Sequence, residues 1–288
     1  MKKLFMMLVT ALLFVACQND EKEMTAASED MGTVTFQVAN YEMSSLDDEA
    51  TRASISTLSY LAMGIYNAET KELISSEQKH KDDAGYGTFS VTLPYGDYTI
   101  VFLGYTGSRQ ANMESPTNIY FSDNYVPDLM YKTISLTIAS SETATQAIAL
   151  KRAVAAFSLV SEGRIPTNVA KLTITARGGG HTFNALTGLS NSTAERSYTY
   201  NLASVAGSSA MTVTFYTFLT ANESTMEFTA SARDASDAEI RTRDFTSAPM
   251  KINQRTRYTG DFFASDESVQ GFSISLEDGD MDAVDYTY

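Results

Sequence analysis

Tryptophan is absent from this chain of 288 residues, cysteine occurs once, histidine twice and proline five times. One cysteine cannot form an internal disulfide, so any fold must be held by its own core. Cys17 on its own is a nucleophile, a metal ligand, half of an intermolecular bridge or an attachment point. Basic residues are the minority charge, 21 against 35 acidic. That balance argues against nucleic acid or anionic lipid as a partner, because phosphate recognition needs clustered lysine and arginine. Long apolar runs are missing too. The one candidate, Leu4 to Val15, is too short to span a bilayer comfortably.

That short run follows Lys2 and Lys3 and ends in Ala16-Cys17, the layout of a secretory signal. The ending LFVAC resembles a bacterial lipoprotein box, in which the cysteine thiol is acylated and becomes the new N-terminus; Phe14 departs mildly from the usual leucine. The resemblance implies lipidation of Cys17 and an outer-membrane, cell-surface location. Cleavage there would remove two lysines and no acid, leaving 19 basic and 35 acidic residues and a net charge near −16. No thiol would remain for zinc or for cysteine catalysis. Residues 18–30 are polar and acidic and read as a tether that cannot bury enough apolar surface to fold.

With 16 tyrosines, 15 phenylalanines and few helix-period stripes, the remainder has a β composition. Alternation of period two recurs. Val34, Phe36 and Val38 share one face, Leu58 to Tyr66 reads as a sheet-centre strand, and GTFSVTLPYGDYTIVFLGY (87–105) reads as a hairpin turning at Pro94–Asp97. Residues 106–130 read as a long loop. ALKRAVAAFSLV (149–160) is predicted to be a strand crossing between domains. Beyond it the pattern resumes, with GGGH (178–181) as a turn returning through Thr182 to Leu186. Roughly seven short strands on each side of residue 152 predict an all-β chain of two tandem β-sandwiches, residues 31–151 and 152–288.

Candidate chemistry is sparse. His80 falls in the charged run SEQKHKDD, read as a solvated loop, and His181 in the glycine turn, read as exposed. No G-x-S-x-G elbow accompanies a possible Ser-His-Asp set. Asp278, Asp280 and Asp282 have the 1, 3, 5 spacing of a calcium loop, but Ala283 stands where glycine is required. No metal, no cofactor and no enzymatic activity are therefore expected.

The lipoprotein box, EATRAS (49–54), LPYGDYTIVFLGY, ALKRAVAAFSLV and INQRTRYTGDFF (252–263) together resemble the fimbrillin-type pilus subunits and anchor proteins of Bacteroidales. The resemblance implies two transthyretin-like sandwiches, a structural role in a cell-surface fimbria and other fimbrial subunits as partners. It also implies cleavage after an arginine near the N-terminus, freeing a first strand that a neighbour's strand replaces. Arg52, with Ala53 after it, fits the cut site. The strand of Val34, Phe36 and Val38 is the one to be replaced. Phe272, Ile274 and Leu276 offer the same alternation and length, which makes the last strand the candidate donor. The alternative is a surface lipoprotein adhesin that binds a glycan or another host or bacterial ligand through tyrosines of NIYFSDNYVPDLMYK (118–132).

Overall fold

The computed structural model describes residues 30–43, 51–141, 143–265 and 271–278. Ten strands come from the first half: β1 (Met31–Met43), β2 (Thr51–Ser54), β3 (Tyr60–Asn67), β4 (Leu73–His80), β5 (Thr88–Pro94), β6 (Gly96–Tyr105), the two-residue β7 (Ala111–Asn112) and β8 (Tyr120–Phe121), β9 (Leu129–Ile138) and β10 (Thr143–Arg152). The second half contributes eight: β11 (Ala155–Ser161), β12 (Val169–Arg177), β13 (Arg196–Asn201), β14 (Met211–Thr217), β15 (Glu223–Asp234), β16 (Glu239–Lys251), β17 (Gln254–Gly260) and β18 (Ser273–Asp278). Helix among the described residues is confined to three single 3-10 turns.

The first half packs a layer of β5, β1 and β10 against a layer ordered β9, β6, β3, β4, with β10 and β9 pairing only at Lys151–Arg152. Val34, Phe36, Val38, Phe89, Ile100 and Phe102 fill the space between them. In the second half β14, β11, β17 and β18 form one sheet and β13, β12, β15 and β16 the other, around Phe157, Phe215, Phe228 and Phe245. The chain is two tandem β-sandwiches. The halves share a device: the first strand of each lies parallel to a late strand (β1 with β10, β11 with β17) and antiparallel to a middle one (β5, β14).

Three expectations are corrected by this arrangement. The 87–105 segment is not a hairpin, since β5 pairs with β1 whereas β6 pairs with β3 and β9. Its turn carries the chain between layers. Alternation looks the same whether two strands share a sheet or face each other across a core, so period alone could not tell these apart. SEQKHKDD is not wholly loop: Leu73–His80 forms β4 along an edge, with the His80 ring against Tyr60 at 5.0 Å. Nor does GGGH open a short return, for β12 pairs with β13 instead.

The intervening residues 178–195 reach toward the first half. Phe183 exchanges backbone hydrogen bonds with Ile119 (2.8 and 2.7 Å) and its ring meets Tyr131 and Phe218 at 4.8 and 5.2 Å. Thr133 Oγ1 donates to the Ala185 carbonyl at 2.6 Å. Gly188 has φ +79, and a Cβ there would meet the Tyr131 hydroxyl at 2.0 Å, so glycine is required twice over. The patternless 106–130 segment supplies the other side of this third core, with Ile119, Phe121, Val126 and Leu129 buried. β3 and β6 are consequently buried on both faces, which accounts for their nearly continuous apolar sequences.

Candidate functional site: the first strand

β1 alternates strictly. Thr33 and Thr35 point outward, bonded to Thr92 (2.8 Å) and Ser90 (3.1 Å), while Val34, Phe36 and Val38 point inward at 5, 0 and 3% exposure. Phe36 sits edge-on to Phe102 at 5.0 Å, and Phe89 packs on the same ring at 6.2 Å. Burying three such side chains contributes roughly 5–9 kcal/mol. The backbone is occupied on both sides, by β10 from Thr33↔Thr143 onward and by β5 from Met31↔Pro94 to Gln37↔Thr88. A strand so placed cannot leave without exposing an apolar slot and two unpaired backbone edges.

At Val38/Asn40 the register with β10 shifts by one residue, and beyond it β1 turns from β5 to β2. There Glu42 pairs with Arg52 and Tyr41 with Ala53. The expected cut site therefore lies in a short strand at the sheet edge and not in a free linker. The edge supplies an extended backbone with one side unpaired among the described residues, the shape in which a protease takes its substrate. Immediately after it, Ser54 caps a 3-10 turn, and the Tyr86 hydroxyl donates to the carbonyls of Ile55 (3.2 Å) and Leu58 (3.1 Å). The chain after Arg52 is thus fastened to the body independently of β1.

The candidate donor differs from the strand it would replace. β18 pairs only with β17 among the described strands. Its inner-face residues Ile274 and Leu276, opposite Tyr258 and Thr256, remain 52 and 50% exposed. Phe272, just before the strand, packs edge-on against Phe245 at 5.4 Å. Arg257 Nε meets Glu277 Oε1 at 2.8 Å on the outer face. β18 is held by pairing, by Phe272 against Phe245 and by Glu277, which meets both Arg257 and Arg255 (3.7 Å).

Cys17, Asp280 and Asp282 lie outside the described residues; Asp278 ends β18. No group of three or more His, Cys, Asp or Glu among the described residues is placed to hold a metal. His181 is half-buried, not an exposed turn, and burial and then the nearby Arg196 lower its pKa. The 118–132 tyrosines do not form a platform. Tyr120 is 38% exposed, but Tyr131 is buried and Tyr125 lies edge-on to Phe121 at 6.3 Å beneath Arg109. A groove of about 930 Å³ between the ends of β13 and β14, lined by Tyr200, Leu202, Val205, Met211 and Val213, carried no sequence signal, because it is a gap between two edges and not a motif.

Residues 27–279 match the model of a family of unknown function, DUF6562. The chain belongs to that family. No curated protein matches it in sequence. Among solved structures, this DUF6562 protein is similar to a candidate adhesin from Bacteroides ovatus, at TM-score 0.52 and 13% identity over 82% of this chain and 88% of that one. It is also similar to the fimbrial anchor protein Mfa2 from Porphyromonas gingivalis (TM-score 0.47, 12% identity, 85% of this chain and 97% of that one). The tip fimbrial protein Mfa3 from the same organism matches at TM-score 0.43 and 10% identity, over 87% and 99% of the two chains. At these identities the Bacteroides ovatus likeness speaks for the fold of the DUF6562 protein.

Proposed function

We propose that this protein is a non-catalytic structural subunit of a cell-surface fimbria, exported as a lipoprotein through Cys17 and assembled by strand exchange after cleavage at Arg52. The observation that carries the reading is the position of β1. It is the first strand, it is enclosed between β5 and β10, and Arg52 lies in the segment joining it to the rest. A strand linked on one side only by a cleavable edge is separable without cutting the remaining fold. The half-exposed β18, with its three-residue apolar pattern, suits the donor role, and the shared fold of the candidate adhesin agrees with a surface setting.

The test is exchange between copies. Wild-type protein cut at Arg52, separated from its β1 fragment in denaturant and refolded, should form oligomers that contain β18 of one copy in the slot of another. Ile274→Asp carried through the same cut and separation, so that no wild-type β18 is present, should give none, while the uncut variant remains folded by circular dichroism. Oligomers formed equally well with that variant would remove β18 as the donor.

A further inference from the structure

Three of the described sheet edges, those of β4, β14 and β16, carry a device against pairing with another chain. β4 places Glu77, Lys79 and His80 along its edge. The β14 carbonyls of Thr214 and Tyr216 accept the hydroxyls of Tyr200 (3.0 Å) and Tyr198 (3.2 Å) from the opposite sheet. β16 contains Pro249 and the positive-φ residue Ser247, and its register with β15 shifts twice. β18 has no proline, bulge or capped carbonyl, and its only charges, Glu277 and Asp278, sit at its end. Its far side is unpaired among the described residues, and the apolar pair Ile274 and Leu276 is half exposed along it.

The sequence of β18 is its own complement. About Ser275 the order reads Ser273, Ile274, Ser275, Leu276, Glu277. Laid antiparallel against a second copy with Ser275 opposite Ser275, Ile274 of each copy faces Leu276 of the other on the inner face. Ser273 faces Glu277 on the outer face. No like charges oppose each other in this register, and Glu277 keeps Arg257 on its own chain. Either parity of outward-pointing amides satisfies a pairing centred on one residue. A one-residue slip would set Ile274 and Leu276 against serine or glutamate, so the register is specified.

We propose that β18 is a self-association edge, where two copies of this chain join their β14-β11-β17-β18 sheets into one eight-stranded sheet about a two-fold axis. The contact is isologous and closes at two copies. It requires no cut at Arg52 and so stands apart from strand exchange. The contact is small, so the association is weak in dilute solution and is best read by trapping.

The experiment uses the full chain in a Cys17→Ala background, which carries no other thiol. With oxidised glutathione, Ser275→Cys should give a disulfide-linked dimer, since directly opposed Cβ atoms lie about 4.5–5.5 Å apart. Ser273→Cys alone should stay monomeric, but mixed with Glu277→Cys should yield the mixed dimer. Ile274→Lys in the Ser275→Cys chain should suppress trapping at least tenfold. Absence of the Ser275→Cys dimer, or equal cross-linking by Ser273→Cys alone, overturns the proposal. So does a dimer seen only after truncation at Asp278, which would assign the edge to residues 279–288 of the same chain.

Discussion

Arg152, the last residue of β10, grips Asp128 with two parallel hydrogen bonds, Nε to Oδ1 at 2.7 Å and Nη2 to Oδ2 at 3.0 Å. Both side chains are almost fully buried, at 2 and 5% exposure. Arg152 Nη1 also donates to Asn253 Oδ1, at 3.2 Å, in the turn between β16 and β17. One guanidinium therefore joins the end of the first sandwich to the second. Arg152→Ala would leave Asp128 buried without its counter-charge and is expected to cost about 3–5 kcal/mol. Replacing both partners by leucine should cost less than that single change. Urea unfolding of the three proteins checks the order.

Cys17→Ala should release the protein from the membrane fraction of cells. A single acyl chain holds a protein marginally, whereas the several chains of a bacterial lipoprotein hold it firmly. Fractionation of cells expressing each form decides this, and wild-type membrane association of the variant would sink the lipoprotein reading.

Brief trypsin treatment of the folded protein should cut after Arg52 before it cuts at Arg233, which lies inside the β15–β16 ladder. The β1 fragment should stay bound afterward, because β5 and β10 still enclose it. Intact mass after gel filtration should show both pieces co-eluting, and separation only in denaturant. Early cleavage elsewhere with Arg52 spared would show this edge to be protected.

Burial pushes the Tyr86 phenol up to about 12 from an ordinary 10.0 and pushes Tyr66, Tyr105 and Tyr216 higher still. A phenol with a raised folded pKa binds its proton more tightly in the folded state than in the unfolded one. Its stabilisation is fully present below the unfolded value and is lost as pH climbs through the folded one. Stability should therefore decline from about pH 10 toward pH 12, with the segment after Arg52 loosening as Tyr86 ionises. Tyr86→Phe should lower stability at neutral pH and flatten that decline, measured by denaturation at a series of pH values.

The local alternation of Val34, Phe36 and Val38, the sheet-centre apolarity of β3, and the all-β class were legible in the sequence, because each is dictated by which side chains must leave water. The same alternation could not say which strands pair. β5 and β6, neighbours in sequence, lie in different layers, and β1 pairs in parallel with β10 over a hundred residues away. Partner choice depends on how whole faces fit around a shared core, and that information is spread over both sandwiches. The 106–130 and 178–195 segments lack periodicity for the same reason. Ile119, Phe183 and Gly188 make sense only against each other and Tyr131, so their spacing obeys the junction between the halves and no local repeat. Exposure of Ile274 and Leu276 was decided by what lies opposite them. An apolar pair at an edge reads like any buried strand until the tertiary structure leaves that face uncovered.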